Sequence, residues 1–317
     1  MAYDRPWKSY GDQLALLQSR GLGVSDETAA LDYLERVGYY RLSAYWYPFR
    51  QFEEVGRSHS GQPLTRATDR FVDDTQFVDA VRLYLFDKQL RLLMMDALER
   101  IEVALRVDLA HRLGERDTFA HLNKSLYHPS FVRGGRFERW AKRCRDLQNR
   151  SKEDFIKHYR QRHGDDLPIW VVVETWDFGA VSMLFAMMKV ADQQAIATKY
   201  GVRDWLAFQS WLRSLNYLRN LCAHHSRLWN RNVVDQPQLP DAGVLSWCDA
   251  FIGRPELIAR PFLLFAIARH LVRIVCPETR WHERLAEHLD RFPGQHSVCK
   301  LSVDDTGAPE HWKSWWV

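Results

Sequence analysis

Residues 74–114 read DTQFVDAVRLYLFDKQLRLLMMDALERIEVALRVDLAHRLG, and the period of this stretch decides the class of fold. Val78, Val81, Leu85, Leu92, Met95, Leu98, Ile101, Leu105, Leu109 and Leu113 recur at helical steps, the spacing that lines one face of an α-helix. Asp74 or Thr75 can cap its start, and Gly114 ends it. About forty residues at 1.5 Å each span about 60 Å, so this helix either bends or belongs to a bundle or a dimer interface. Outward from it, further helices are expected over 10–19, 26–37, within 131–159, over 169–188, 204–229 and 260–275. The run Ile169-Trp-Val-Val-Val173 has strand propensity, but it stands among helices and reads as buried helix. Gly, Pro, Ser and Asp place loops at 56–69, 128–136, 164–168, 230–243 and 292–309. The chain is expected to be all-α, with an aromatic-rich helical lobe over 1–70, a helical domain over 71–291 and a Trp-rich tail over 292–317.

With 317 residues, 46% hydrophobic and 26% charged, the composition is that of a globular chain of one large or two medium domains. Collagen-like, disordered and disulfide-scaffold classes are excluded. Forty-four Lys and Arg against 40 Asp and Glu leave a net charge of +4, compatible with a polyanionic partner but no argument for one. The five cysteines, Cys144, Cys222, Cys248, Cys276 and Cys299, are odd in number and form no C-x-x-C, which points to a reducing, cytoplasmic setting. The first residues carry no apolar signal stretch. The most apolar later segment, 261–276, is interrupted by Arg269, His270 and Arg273, so no membrane association is expected.

Residues 212–231, LRSLNYLRNLCAHHSRLWNR, carry the chemistry. Leu212, Leu215, Leu218, Leu221 and Cys222 mark the core side of a helix. Arg213, Asn216, Asn220, His224, Arg227 and Arg231 recur at steps of three and four as one polar stripe. The stripe has no carboxylate, whereas a merely solvated helix face favours Lys and Glu. Asn220 and His224, four apart, stack on one face, where the amide can orient the imidazole. Arg219 lies about 100° round the helix from Asn220 and flanks the pair, which implies a cleft between helices. His225 and Cys222 lie near His224, but no acidic or Cys/His partner at ligand spacing accompanies them; no metal and no cofactor is expected.

Two other segments stand out. Residues 39–52 hold seven aromatics, with Arg41 and Arg50 among them: a packing cluster, or a platform for unpaired bases with the arginines on phosphates. Trp312, Trp315 and Trp316 put three indoles on one turn, expected to dock back on their own fold or to meet a partner.

Arg219-Asn220-x-x-x-His224 is similar to the signature of the HEPN ribonuclease superfamily, and the wider string to Arg231 resembles the Abi-like (abortive infection) family of phage-defence proteins. Leu31 to Arg50, Leu98 to Arg106 and Leu167 to Glu174 also resemble that family's blocks, in the same order, so that the resemblance covers about residues 8–275. It implies a HEPN-like helical bundle that dimerises and cuts RNA without a metal. Arg219, Asn220 and His224 would be catalytic, giving 2′,3′-cyclic phosphate and 5′-hydroxyl ends. His225, Arg227, Arg231, Arg213, Asn216, Arg106, Arg41 and Arg50 are the candidate RNA contacts, although Arg106 also reads as an i,i+4 ion pair with Glu102. The implied partners are RNA as substrate, a regulatory noncoding RNA and a second copy of the chain, with no DNA. Two other readings stand beside it: an RNA-binding protein that does not cut, and a helical interaction protein using the Trp tail.

Overall fold

The computed structural model describes residues 6–58, 61–294, 296 and 298–316. In chain order its elements are α1 (Tyr10–Ser19), α2 (Glu27–Arg36), α3 (Tyr39–Trp46), β1 (Arg50–Arg57), β2 (Pro63–Phe71), α4 (Phe77–Gly114), α5 (Pro129–Arg133), α6 (Arg136–Arg150), α7 (Asp154–His163), α8 (Ile169–Val172), α9 (Phe178–Met187), α10 (Val190–Lys199), α11 (Trp205–Ala223), α12 (Pro255–Ile258), α13 (Phe262–Val275), α14 (Trp281–Asp290) and α15 (Lys313–Trp316). The fold is mostly helical, as expected. Contacts divide the chain into two compact units, Met1–Leu90 with Glu287–Asp305, and Arg91–Ala286 with Thr306–Val317. The division falls inside α4 rather than near residue 70, and the C-terminal tail is shared between the units.

In the first unit, a reciprocal Ser9–Asp12 capping box starts α1, and Asp26 caps α2 by accepting from the Ala29 N–H at 2.9 Å. Of residues 56–69, expected as loop, 56–57 and 63–69 are instead strand in a hairpin, and 59–60 lie outside the described residues. β1 pairs antiparallel with β2, Glu53 stands opposite Arg66, and their side chains form an ion pair at 2.7 Å. The turn signals Gly56, Ser58, Gly61 and Pro63 were real, but they mark only the connection and its flanks, while Thr65, Thr68 and Phe71 behave as strand residues. The aromatic run splits in two. Tyr45, Trp46 and Phe49 are buried, and the Tyr45 hydroxyl donates to the buried Asp87 carboxylate at 2.7 Å. Tyr40 is 78% exposed, and Tyr47 and Phe52 are half exposed.

Helix α4 starts at Phe77, with the Asp79 carboxylate accepting from the Gln76 N–H at 2.9 Å. Of the expected core stripe, Val81, Leu98, Ile101, Leu105, Leu109 and Leu113 are buried, but Val78, Leu85 and Leu92 are exposed and Leu83, Phe86, Leu90 and Met94 take their places. The first half of α4 is apolar most of the way round, so period alone could not choose its face.

In the second unit, α11 is central and packs on α9, α10 and α13, while α6 packs on α9. Leu212, Leu215, Leu218, Leu221 and Cys222 are all buried, as their spacing required. Ile169–Val172 is helix α8, buried except for Trp170. The Trp tail docks back: the Trp316 indole donates to the His282 carbonyl at 2.8 Å, and Arg269 donates to the Trp316 carbonyl and lies over its ring. Burial lowers the Arg269 guanidinium to about 10. Among the described residues no helix is long and apolar enough to cross a membrane.

Candidate functional site

Helix α11 opens at Asp204, whose side chain accepts from the Leu206 N–H at 2.9 Å, and runs without a break to Ala223. Its last turn closes by a Schellman arrangement. The His225 N–H donates to the Cys222 carbonyl at 3.0 Å and the Ser226 N–H to the Leu221 carbonyl at 2.9 Å. This requires a left-handed residue just past the helix, ordinarily glycine, yet His225 occupies it at φ 56. The turn is supported from α4, where the buried Arg91 donates to the Ser226 carbonyl at 3.3 Å.

The result is a histidine pair held on defined backbone. His224 is the helix C-cap, its N–H donating to the Asn220 carbonyl at 3.0 Å, and the side chains of Asn220, His224 and His225 are exposed. The connection between Asn220 and His224 runs through the backbone; no hydrogen bond between their side chains occurs among the described residues.

Arg219, one position back, sits in a different environment. It is half-buried, and its Nε is shielded from solvent with no hydrogen-bond partner among the described residues. Around it lies a polar network drawn from four other elements. Arg106 pairs with Glu102 and donates to the Trp176 carbonyl, with Glu174 at 3.7 Å; Arg143 pairs with Asp177 at 2.7 Å. Asp177 also caps α9, accepting from the Ala180 N–H at 2.8 Å. Burial raises the Glu102 carboxyl above its ordinary value, against the pull of Arg106 and Arg219. Burial also pushes Asp177 upward, but the Arg143 and Ala180 hydrogen bonds and the charges of Arg143 and Arg219 hold it below the usual range. The helices approach closely here: a Cβ on Gly179 would stand 3.3 Å from both the Asn216 and Asp177 side-chain oxygens, and 3.4 Å from Arg143. Gly179 also lines a groove of about 440 Å³ with Phe131, Arg136, Arg139, Arg143 and Met183.

The chain leaving the turn runs back along α11. Tyr217 reaches the Asn232 carbonyl at 3.5 Å, Arg213 pairs loosely with Asp235 at 3.8 Å, and the Trp211 indole donates to the Gln238 carbonyl at 2.7 Å. Arg231 donates to the Tyr217 hydroxyl at 3.2 Å. The strap therefore takes Arg213 and Arg231 into its own attachments, while Arg227 is half-buried beside the turn.

The two remaining candidates lie in the first unit. Arg50 is engaged by the Thr68 carbonyl and Asp69, each at 3.0 Å, and lies over the Phe71 ring, so it fastens the hairpin. Arg41 is exposed on α3. Near it, Trp7, Lys8, Tyr10, Arg20, Tyr39 and Tyr40 line a groove of about 630 Å³. Sequence reading missed Arg91, Arg143, Asp177 and Gly179. Asp177 ahead of an apolar helix was a readable cap, but nothing local in the sequence marks the other three.

A mostly helical protein that bares a histidine at the end of a helix, five residues after an arginine set near buried carboxylates, is the class that this geometry defines. The model of the Abi-like protein family matches residues 32–230, more than half of the chain, and the chain belongs to that family. The match takes in the aromatic run, α4, the network and the whole of α11 with its turn. No curated protein and no solved structure matches.

Proposed function

We propose that this Abi-like protein is a metal-independent endoribonuclease of abortive-infection phage defence, cutting RNA at a site composed from two copies of the chain. The observation that carries the reading is the pairing of an exposed imidazole on a fixed turn, His224, with a neighbouring guanidinium, Arg219, whose Nε is shielded and unpartnered. Buried donors are ordinarily satisfied, so an unsatisfied one beside an exposed base calls for a missing acceptor. In cleavage by the RNA's own 2′-hydroxyl, His224 takes that proton. The oxygen attacks phosphorus, the 5′-oxygen leaves with a proton from the same histidine of a second copy, and the ends are a 2′,3′-cyclic phosphate and a 5′-hydroxyl. Arg219 stabilises the charge on the phosphorane, and Asn220 positions His224. The groove bearing Arg136, Arg139 and Arg143 offers phosphate contacts beside the stripe. Such an activity needs restraint, and a bound noncoding RNA stacking on Trp7, Tyr10 and Tyr40 would supply it.

A second reading, RNA binding without cleavage, is favoured by one feature: Glu102 and Asp177 both feel the charge of Arg219, which suits a guanidinium anchored in place. The test is incubation of wild type and His224→Ala with total RNA in excess EDTA, followed by analysis of the ends. Cleavage by wild type alone with cyclic phosphate ends supports the first reading. RNA bound equally by both proteins and cut by neither supports the second.

A further inference from the structure

Helix α6 carries six basic residues against two acidic ones in fifteen positions, a net charge of +4 that equals that of the whole chain. Its exposed side holds Arg136, Arg139, Lys142 and Arg143. Beside it lies a partly open cavity of about 180 Å³ between α6, α7 and the segment around His121. Trp140 walls both this cavity and the arginine groove.

The cavity lining is polar, mixed and balanced. Arg145, Arg160, Asp165 and Asp166 line it, two charges of each sign, so the lining as a whole is formally neutral and suits an uncharged ligand. Two amides add donors and acceptors together: Gln148 donates to the Asp165 carbonyl at 3.0 Å, and Asn149 accepts from Arg160 at 2.6 Å. Two buried nitrogens have no hydrogen-bond partner among the described residues. One is Nδ1 of His121, a side chain 6% exposed; the other is Nε of Arg160, which stands 3.6 Å from the Asp165 carboxylate, too far for a bond. Burial keeps His121 neutral, lowering it to about 4, so its ring offers one donor and one acceptor at ordinary pH. The volume lies below the roughly 300–1,000 Å³ of sites for drug-sized ligands.

From the neutral lining, the mixed donors and acceptors, the Trp140 wall and the basic helix beside it, we infer that the cavity is a subsite for a single nucleobase, turned in from an RNA strand whose phosphates lie along α6. A base is uncharged and planar and carries donors and acceptors on its edge. The inference rests on the reading of the chain as an RNA-binding protein and is independent of cleavage.

The test is equilibrium binding by calorimetry with two probes: each of the four ribonucleosides, and a mixed-sequence 2′-O-methyl octaribonucleotide that 2′-hydroxyl chemistry cannot cut. The proteins are wild type, His121→Asn and Gln148→Leu, each checked for native melting. Binding of one nucleoside with 1:1 stoichiometry, weakened at least tenfold in Gln148→Leu or His121→Asn, supports the subsite with a free base as source. Binding of the octamer alone, weakened tenfold by the same changes, supports it with RNA as source. No binding of either probe, or binding that neither cavity variant weakens, overturns it. Loss of cleavage in His224→Ala bears only on the catalytic reading.

Discussion

Arg219 and His224 are five residues apart on one helix, yet they belong to opposite kinds of surroundings. Arg219 stands near the Glu102 and Asp177 carboxylates, each with its own arginine partner, whereas His224 sits on a turn held by local backbone hydrogen bonds and by Arg91 on the Ser226 carbonyl, with its ring in solvent. The contrast teaches how one polar stripe divides labour. The buried end is specified by partners far away in sequence, and the exposed end by the local geometry of a helix terminus. Substitutions at the two ends should therefore fail in different ways.

The largest expected effect is at the exposed end. His224→Ala should lower the rate of RNA cleavage by about 10²- to 10⁴-fold, the usual contribution of a positioned base, with the melting temperature unchanged. A fall in melting temperature of the size expected for the buried end would break the contrast. At that end, Arg106→Met should cost about 3 kcal/mol, because Glu102 is left buried without its pair. Glu102 is already raised by burial, so its charged form is the disfavoured one. Stability is retained while it is protonated and lost as pH rises through its pKa, and the variant's deficit in urea melts should be greater at pH 8 than at pH 5.

A third, smaller effect concerns His121, whose folded value of about 4 lies below its ordinary 6.5. The unfolded chain binds the proton first as pH falls, so stability is full above 6.5 and declines between 6.5 and about 4. His121→Asn should flatten that decline, on the order of 2 kcal/mol, in melts across this range. The smallest effect sharpens the account of the turn. His225→Gly should be more stable than His225→Ala by about 1 kcal/mol, since both remove the ring and only glycine is relaxed at φ 56.

Much of this was legible in the sequence where the determinants are local. The leucine spacing of α11 fixed which face is buried, Gly114 ended α4, and the isolated IWVVV run was helical because its neighbours are. The hairpin was not legible, since Gly56, Ser58, Gly61 and Pro63 mark a turn whether or not strands flank it. The inner face of α4 was misassigned at Leu85 and Leu92 because leucines there surround the helix. The polar stripe could be read as a stripe, but its division could not. Nothing in residues 212–231 announces that Glu102, Arg143 and Asp177 will converge beside Arg219 while Asn220 and His224 stay bare. Arg50, read as a phosphate contact, proves to be tied to Asp69, a residue nineteen positions away.

The strap that returns along α11 has a kinetic meaning. Its attachments, Tyr217 to Asn232, Trp211 to Gln238 and Ser210 to Gln238, join residues at most 28 apart, so closing them costs little loop entropy. The helix, the His225 turn and the strap form a hairpin-like piece able to assemble early in folding. In hydrogen exchange, the Ser226 amide, locked to Leu221, should open together with the last turn of α11 rather than fray ahead of it.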